Sequence, residues 1–130
     1  MLLNQITIPC TDYGASVDFY TRLGLTQIVD APPRYARFES PTGEGATLSI
    51  HETEGPAPPG FVIYFDHATA EELDSHVEEL LERGFEFKSM PTDRSWGWRE
   101  ARLVDPADNE ICLMHAGRNR RFPDWRIASK

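Results

Sequence analysis

The chain is poor in the features that would place it in a membrane, outside the cell or on nucleic acid. No apolar run approaches the roughly 18 residues needed to cross a bilayer. The start, MLLNQITIP, lacks a basic stretch followed by an apolar one, so it does not read as a secretion signal. Only two cysteines occur, Cys10 and Cys112, too few for a disulfide framework and too far apart for a CxxC pair. These absences suggest a reduced, cytoplasmic setting. No GxxxxGK phosphate loop appears. Basic residues are outnumbered 13 to 21 by acidic ones, giving a formal net charge of -8, which argues against broad nucleic-acid binding. The charge is uneven. Residues 118–130 hold Arg118, Arg120, Arg121, Arg126 and Lys130 against Asp124, and the remainder is correspondingly more acidic. This basic tail suits a strap on an acidic body or a contact with a second subunit.

What is present is an apolar fraction of 40% over 130 residues, enough for one domain with a real core. Residues 3–9 alternate as a strand, and Thr11 or Asp12 can cap a helix running to Leu23, which Gly24 stops. Strands are expected over 25–30, 35–38 and 46–51, with turns at Pro32-Pro33 and Ser40–Gly43. The segment TEGPAPPG (53–60) reads as a linker. The order then begins again: a strand at 61–65, and a capping box at Thr69 and Glu72 opening a helix with Leu73, Val77, Leu80 and Leu81 on one stripe. Gly84 ends that helix, strands follow at 85–89 and 98–104, and a turn at 105–109 leads to a strand at 110–115. The helix-to-glycine junctions repeat as Arg22-Leu23-Gly24 and Glu82-Arg83-Gly84. The chain therefore reads as an α+β protein of two paired βαβββ modules, 1–52 and 61–117, forming a curved mixed sheet around a cavity, with 118–130 as a basic tail. Each module alone is too small for a strong core.

Strand parity separates two faces, because one residue of phase reverses a side chain. Ile6, Ile8, Leu48, Ile50, Val62, Tyr64, Ile111 and Leu113 are expected beneath the helices. The opposite faces carry Gln5 and Thr7; Thr47, Ser49 and His51; Phe61, Ile63 and Phe65; Glu110, Cys112 and Met114. Buried polar side chains need partners, water or a ligand, so the mixed faces point to a binding cavity. Trp96 and Trp98, flanking Gly97, suit its rim.

The segments 3–25, 46–52, 61–87 and 96–114 resemble the vicinal oxygen chelate superfamily of glyoxalases, bleomycin resistance proteins and extradiol dioxygenases. The resemblance rests on Phe19-Tyr20 with Leu23-Gly24-Leu25, and on Trp96-Gly97, Arg99-Glu100 and Asp105-Pro106 with Asn109. It implies a divalent metal held from the first, fourth, fifth and eighth strands. Those positions fall here on Gln5, Ser49, Phe61 and Cys112, and only the first suits a glyoxalase. The resemblance therefore implies a metal-independent binding protein of the bleomycin-resistance type, homodimeric, with no cofactor and a small-molecule ligand. Its candidate ligand-binding residues are Gln5, Ser49, His51, Phe61, Phe65, Trp96, Trp98, Glu110 and Cys112. The alternative is a glyoxalase- or dioxygenase-like enzyme whose displaced ligand set is Gln5, His51, Glu110 and Cys112. Two residues along a strand is about 6.6 Å, so several strands would have to shift together.

Overall fold

The computed structural model describes residues 1–128; Ser129 and Lys130, and with them the end of the basic tail, lie outside the described residues. Two compact units emerge, residues 1–61 with 104–109, and residues 62–103 with 110 onward.

The first unit holds β1 (Gln5–Cys10), α1 (Tyr13–Leu23), β2 (Thr26–Ala31), β3 (Tyr35–Glu39) and β4 (Thr47–Glu52). Asp12 caps α1 by accepting from the Ala15 amide at 3.0 Å, and Gly24 closes it at φ 124°, a conformation that disfavours a side chain. The sheet order is β1-β4-β3-β2, with β1 parallel to β4 and the other pairs antiparallel. The helix packs on β2 and β3. Its Phe19, Tyr20 and Leu23 are buried, as are Ile8, Ala36, Phe38, Leu48 and Ile50. Ile6 departs from expectation. It lies opposite Leu48 in register but is 40% exposed, because β1 is the sheet's edge strand and α1 covers the far side.

The second unit holds β5 (Val62–Asp66), α2 (Ala70–Glu82), β6 (Ser89–Asp93), β7 (Arg99–Val104) and β8 (Glu110–His115), then a short 3-10 turn at Gly117–Arg120. Thr69 caps α2 through the Glu72 amide at 3.0 Å, with Glu71 and Glu72 in the first turn, where acidic side chains suit the helix dipole. At the other end Gly84, at φ 88°, follows the last turn and lets the Phe85 amide reach the Leu80 carbonyl. The sheet order β5-β8-β7-β6 repeats the topology of the first. Strand β6 begins at Ser89, four residues later than the strand expected at 85–89; Phe85 is buried beyond the helix instead. Among the described residues no helix is long and apolar enough to cross a membrane.

One strand is reversed from its expected parity. Ile63 and Phe65 pair in register with Ile111 and Leu113, whereas Val62 and Tyr64 pair with Glu110 and Cys112. Ile63 is 7% exposed and Tyr64 48%. Val62 and Trp98 pack against Cys112, Met114 and Ala116 on the second face. FVIYF is apolar or aromatic at every position, so alternation could not choose between the faces. The Tyr64 phenol, which tolerates water, decides it.

Candidate functional site

In the first unit the sheet gathers a polar cluster on the face away from α1. Register places Gln5 opposite Thr47, Thr7 opposite Ser49, Arg37 opposite Ser49, and Tyr35 opposite His51. Thr47 donates to Gln5 Oε1 at 3.0 Å, and Gln5 Nε2 reaches Thr7 Oγ1 and the Tyr35 hydroxyl, both at 3.4 Å. Tyr35 is the hub. Its oxygen accepts from Arg37 Nε at 3.0 Å and Arg37 Nη2 at 2.9 Å, and shares a hydrogen with Ser49 Oγ at 2.7 Å. Burial pushes the Tyr35 phenol up, but the bonds from Ser49 and Arg37 outweigh it and hold the phenol below its ordinary value. Ser49 is fully buried, while Tyr35, Arg37 and Gln5 are half-buried.

A cleft of about 390 Å³ lies at the same end of the first unit, lined by Thr7, Pro9, His51, Thr53, Pro56 and Pro58 among others. That volume is within the range of small-molecule pockets. The proline-rich segment forms one wall and is tied down where the Ala57 amide donates to Ala107. Thr7 and His51 join the cleft to the cluster: Thr7 is bonded to Gln5, and His51 stands across from Tyr35. Of the candidate residues, Gln5, Ser49 and His51 therefore belong to one neighbourhood.

In the second unit the face opposite Ile111 and Leu113 holds a different arrangement. Glu100 is 1% exposed and accepts from Trp96 Nε1 at 2.7 Å and Arg102 Nη2 at 3.0 Å. Arg102 also approaches Glu110 at 3.8 Å, and Lys88 reaches the same oxygen at 3.4 Å. The guanidinium lies 5.6 Å from the Tyr64 ring centroid, and Tyr64 meets Trp98 edge-on at 5.8 Å. Trp98 Nε1 donates to the Asn119 carbonyl. Cys112 is fully buried; burial first and Glu100 second push its thiol up to about 12. Trp96, Trp98, Glu110 and Cys112 thus share a neighbourhood. Phe65 does not, since its register partner is Leu113 on the helix side. Phe61 precedes β5 and falls in the first unit, so it does not occupy the position paired with Cys112; Tyr64 does.

The residues that the sequence singles out as ligand-binding do not include Tyr35, Arg37, Tyr64, Glu100 or Arg102. For Tyr35 and Arg37 the signal was present: Tyr-Ala-Arg-Phe alternates, and buried Ala36 and Phe38 assign the other two to the open face.

The residues at these faces do not fit a divalent-metal centre. The first unit offers Gln5 and, in register with each other, Thr7 and Ser49; the second offers Tyr64 in register with Cys112: an amide, two hydroxyls, a phenol and one buried thiol, with no carboxylate or imidazole among them. Metal sites in proteins use carboxylates, imidazoles or thiolates. Among the described residues, no group of three or more His, Cys, Asp and Glu side chains is placed to hold an ion. The displaced set fares no better, since Glu110 is engaged by Lys88 and Arg102.

Comparison with known proteins places the chain. The model of the Glyoxalase/Bleomycin resistance protein/Dioxygenase superfamily matches residues 2–113. The chain belongs to this superfamily. Among solved structures it is similar to a glyoxalase/bleomycin resistance protein/dioxygenase from Nocardioides, at 25% identity and a TM-score of 0.74, over 90% of this chain and 84% of that one. A lactoylglutathione lyase from Agrobacterium tumefaciens shares the fold at 15% identity and a TM-score of 0.72, over 87% and 92%. A bleomycin-binding protein complexed with bleomycin does so at 18% and 0.70, over 88% and 98%. No curated protein sequence matches the chain at a significant level. The superfamily houses several chemistries, so membership alone does not choose among them.

Proposed function

We propose that this superfamily member is a metal-independent small-molecule binding protein of the bleomycin-resistance-like type. The observation that carries the reading is the donor set: hydroxyls and an amide on the open face of the first unit, and a phenol and one buried thiol in register in the second, in place of the carboxylates and imidazoles that metal sites use. The cleft of about 390 Å³ beside Gln5, Thr7 and His51 supplies the volume for a ligand. The partly exposed Tyr64, with Trp98 edge-on to it, supplies an aromatic surface in the second unit. The acidic composition favours cationic ligands, and aromatic faces hold cations. A homodimer is part of the proposal, and sedimentation velocity tests it: a single species at monomer mass removes that part.

The decisive experiment is metal analysis of protein purified without chelators, combined with thermal-shift titration against cationic aromatic compounds. The expected result is no stoichiometric divalent metal and saturable stabilisation by at least one compound, unchanged by chelator. One tightly bound divalent ion per chain, whose removal abolishes ligand binding, would overturn the reading.

A further inference from the structure

The Tyr35 cluster is more elaborate than ligand contact requires. One phenol oxygen gathers two N–H groups from Arg37, a third at longer range from Gln5, and a hydroxyl from Ser49. A neutral phenol has two acceptor sites and must spend its own hydrogen on Ser49. The neutral phenol meets this set by donating to Ser49 and accepting twice from Arg37, and the phenolate meets it by accepting from Ser49 as well, so the cluster accommodates both forms while the guanidinium at 2.9–3.0 Å favours the anion. The charged surroundings agree. Arg37 lies on the same strand and touches the oxygen, and it forms no ion pair with a carboxylate among the described residues. On the flanking strands, His51 of β4 is the titratable group opposite Tyr35, and Gln5 and Thr7 of β1 and Val29 and Ala31 of β2 carry no charge. Tyr13 of α1 donates to Asp30 and reaches only the main-chain oxygen of Tyr35.

Among the other nucleophiles of the first unit, His51 is exposed on the cleft wall and competes for any acyl donor bound there, whereas two are closed off. Ser49 and Cys10 are fully buried. Tyr35 is half-buried and stands beside the cleft through His51 and Thr7. The cleft itself presents no carboxylate and no lysine.

We propose that Tyr35 is a nucleophilic tyrosine, a site of covalent modification that takes an acyl group from an activated ester bound in the neighbouring cleft. The phenolic proton passes to solvent. The phenolate oxygen forms a bond to the ester carbonyl carbon, and the bond from that carbon to the leaving alkoxide or phenoxide breaks, carrying its electron pair with it. Tyr35 is left as an aryl ester. Arg37 keeps N–H groups beyond the two given to Tyr35, available to the oxyanion formed during attack. Water then cleaves the aryl ester, regenerating the phenol and releasing the carboxylic acid. No oxidant or reductant is consumed.

The test is labelling of the intact chain with 4-nitrophenyl acetate near pH 8, read by peptide mass spectrometry and by release of 4-nitrophenolate. The expected result is acetylation of Tyr35 ahead of the other tyrosines, including the 48%-exposed Tyr64. Y35F removes that label. R37Q, verified as folded by circular dichroism, slows it by about tenfold, the loss expected when a charge-assisted hydrogen bond to the attacking oxygen is removed. Acetylation spread over Tyr64 and the lysines according to exposure overturns the proposal. So does an R37Q rate equal to that of the unaltered chain. The labelling is run with and without chelator, so a bound metal, which would defeat the binding reading above, leaves this result separately readable.

Discussion

The Tyr20 phenol donates to the Asp105 carboxylate, joining α1 to a turn 85 residues further along the chain. Both groups are buried. Asp105 also accepts from the amides of Ala107 and Asn109 and from Asn109 Nδ2, which in turn donates to the Pro9 carbonyl. The Asp-Pro-Ala-Asp-Asn turn is thus an anchor of the first unit, not a passive connection.

Y20F leaves one buried carboxylate oxygen short of a donor and is expected to cost about 1–3 kcal/mol. D105A, which strands several donors together, costs more. Urea unfolding measures both. The pH dependence has a definite sign. Burial first, and the charge of Asp105 second, raise the Tyr20 phenol well above its ordinary value. The folded chain therefore keeps a proton that the unfolded chain loses near pH ~10, and stability falls as pH rises past that value. Y20F shows a shallower fall. Some remains, because burial and Asp30 raise Tyr13 to about 12.

Glu100 is the keystone of the second unit's open face. E100A removes the acceptor of both Trp96 Nε1 and Arg102, whose side chain is 23% exposed. Breaking a buried pair from one side costs about 3–5 kcal/mol, and partial exposure of Arg102 places the expected value at the low end of that range. E100Q keeps an acceptor oxygen and loses less. Tryptophan fluorescence during denaturant unfolding reports both the stability change and the altered surroundings of Trp96.

Neither thiol reacts readily in the folded state. Cys10 and Cys112 are fully buried. Burial first, then Glu52 and Asp105, raise Cys10, and burial with Glu100 takes Cys112 to about 12. At pH 8 a disulfide reagent should therefore label the native chain far more slowly than the urea-unfolded chain, in which both thiols titrate near their ordinary ~8.5. Prompt labelling of Cys112 in the native chain would contradict its placement. E100Q removes the neighbouring negative charge, so it is expected to move the Cys112 thiol part of the way down and speed its labelling.

Much of this architecture is legible in the sequence alone. Capping residues Asp12 and Thr69, the glycines after each helix and the doubled order of elements all specify local backbone, and the local signals agree with one another. Legibility failed where the pattern was degenerate. FVIYF is apolar or aromatic at every position, and the one polar tip, the Tyr64 phenol, is too weak a signal to fix the phase from sequence, so the pattern places Phe61 and Phe65 where the fold puts Val62 and Tyr64. It also failed where the decisive information is non-local. Nothing near Tyr35 in the sequence announces that Gln5 and Ser49 meet its oxygen, because those residues lie 30 and 14 positions away, on strands that only the sheet order brings together. Glu100 was visible as part of a motif, but its burial beside Trp96 and Arg102 depends on the pleat of β7.

Gly97 is held at φ +87°, and a Cβ placed there would collide with the Asn119 side chain. That side chain donates to the Gly97 carbonyl at 3.2 Å, and the Asn119 carbonyl accepts from Trp98 Nε1 at 3.2 Å. The turn before β7 and the segment after β8 are thus clamped together around Trp98. G97A combines two penalties: a left-handed backbone that alanine tolerates poorly, at about 1–3 kcal/mol, and displacement of Asn119. N119A removes the collision but also the amide donor. A double-mutant cycle separates the terms. If the clash dominates, G97A/N119A is less destabilised than the sum of the single variants. If backbone strain dominates, the effects add. In the clash-dominated case Trp98 emission in G97A should shift toward that of a solvated indole as its bond to Asn119 is lost, and sub-additive effects with an unshifted spectrum would refute the clamp.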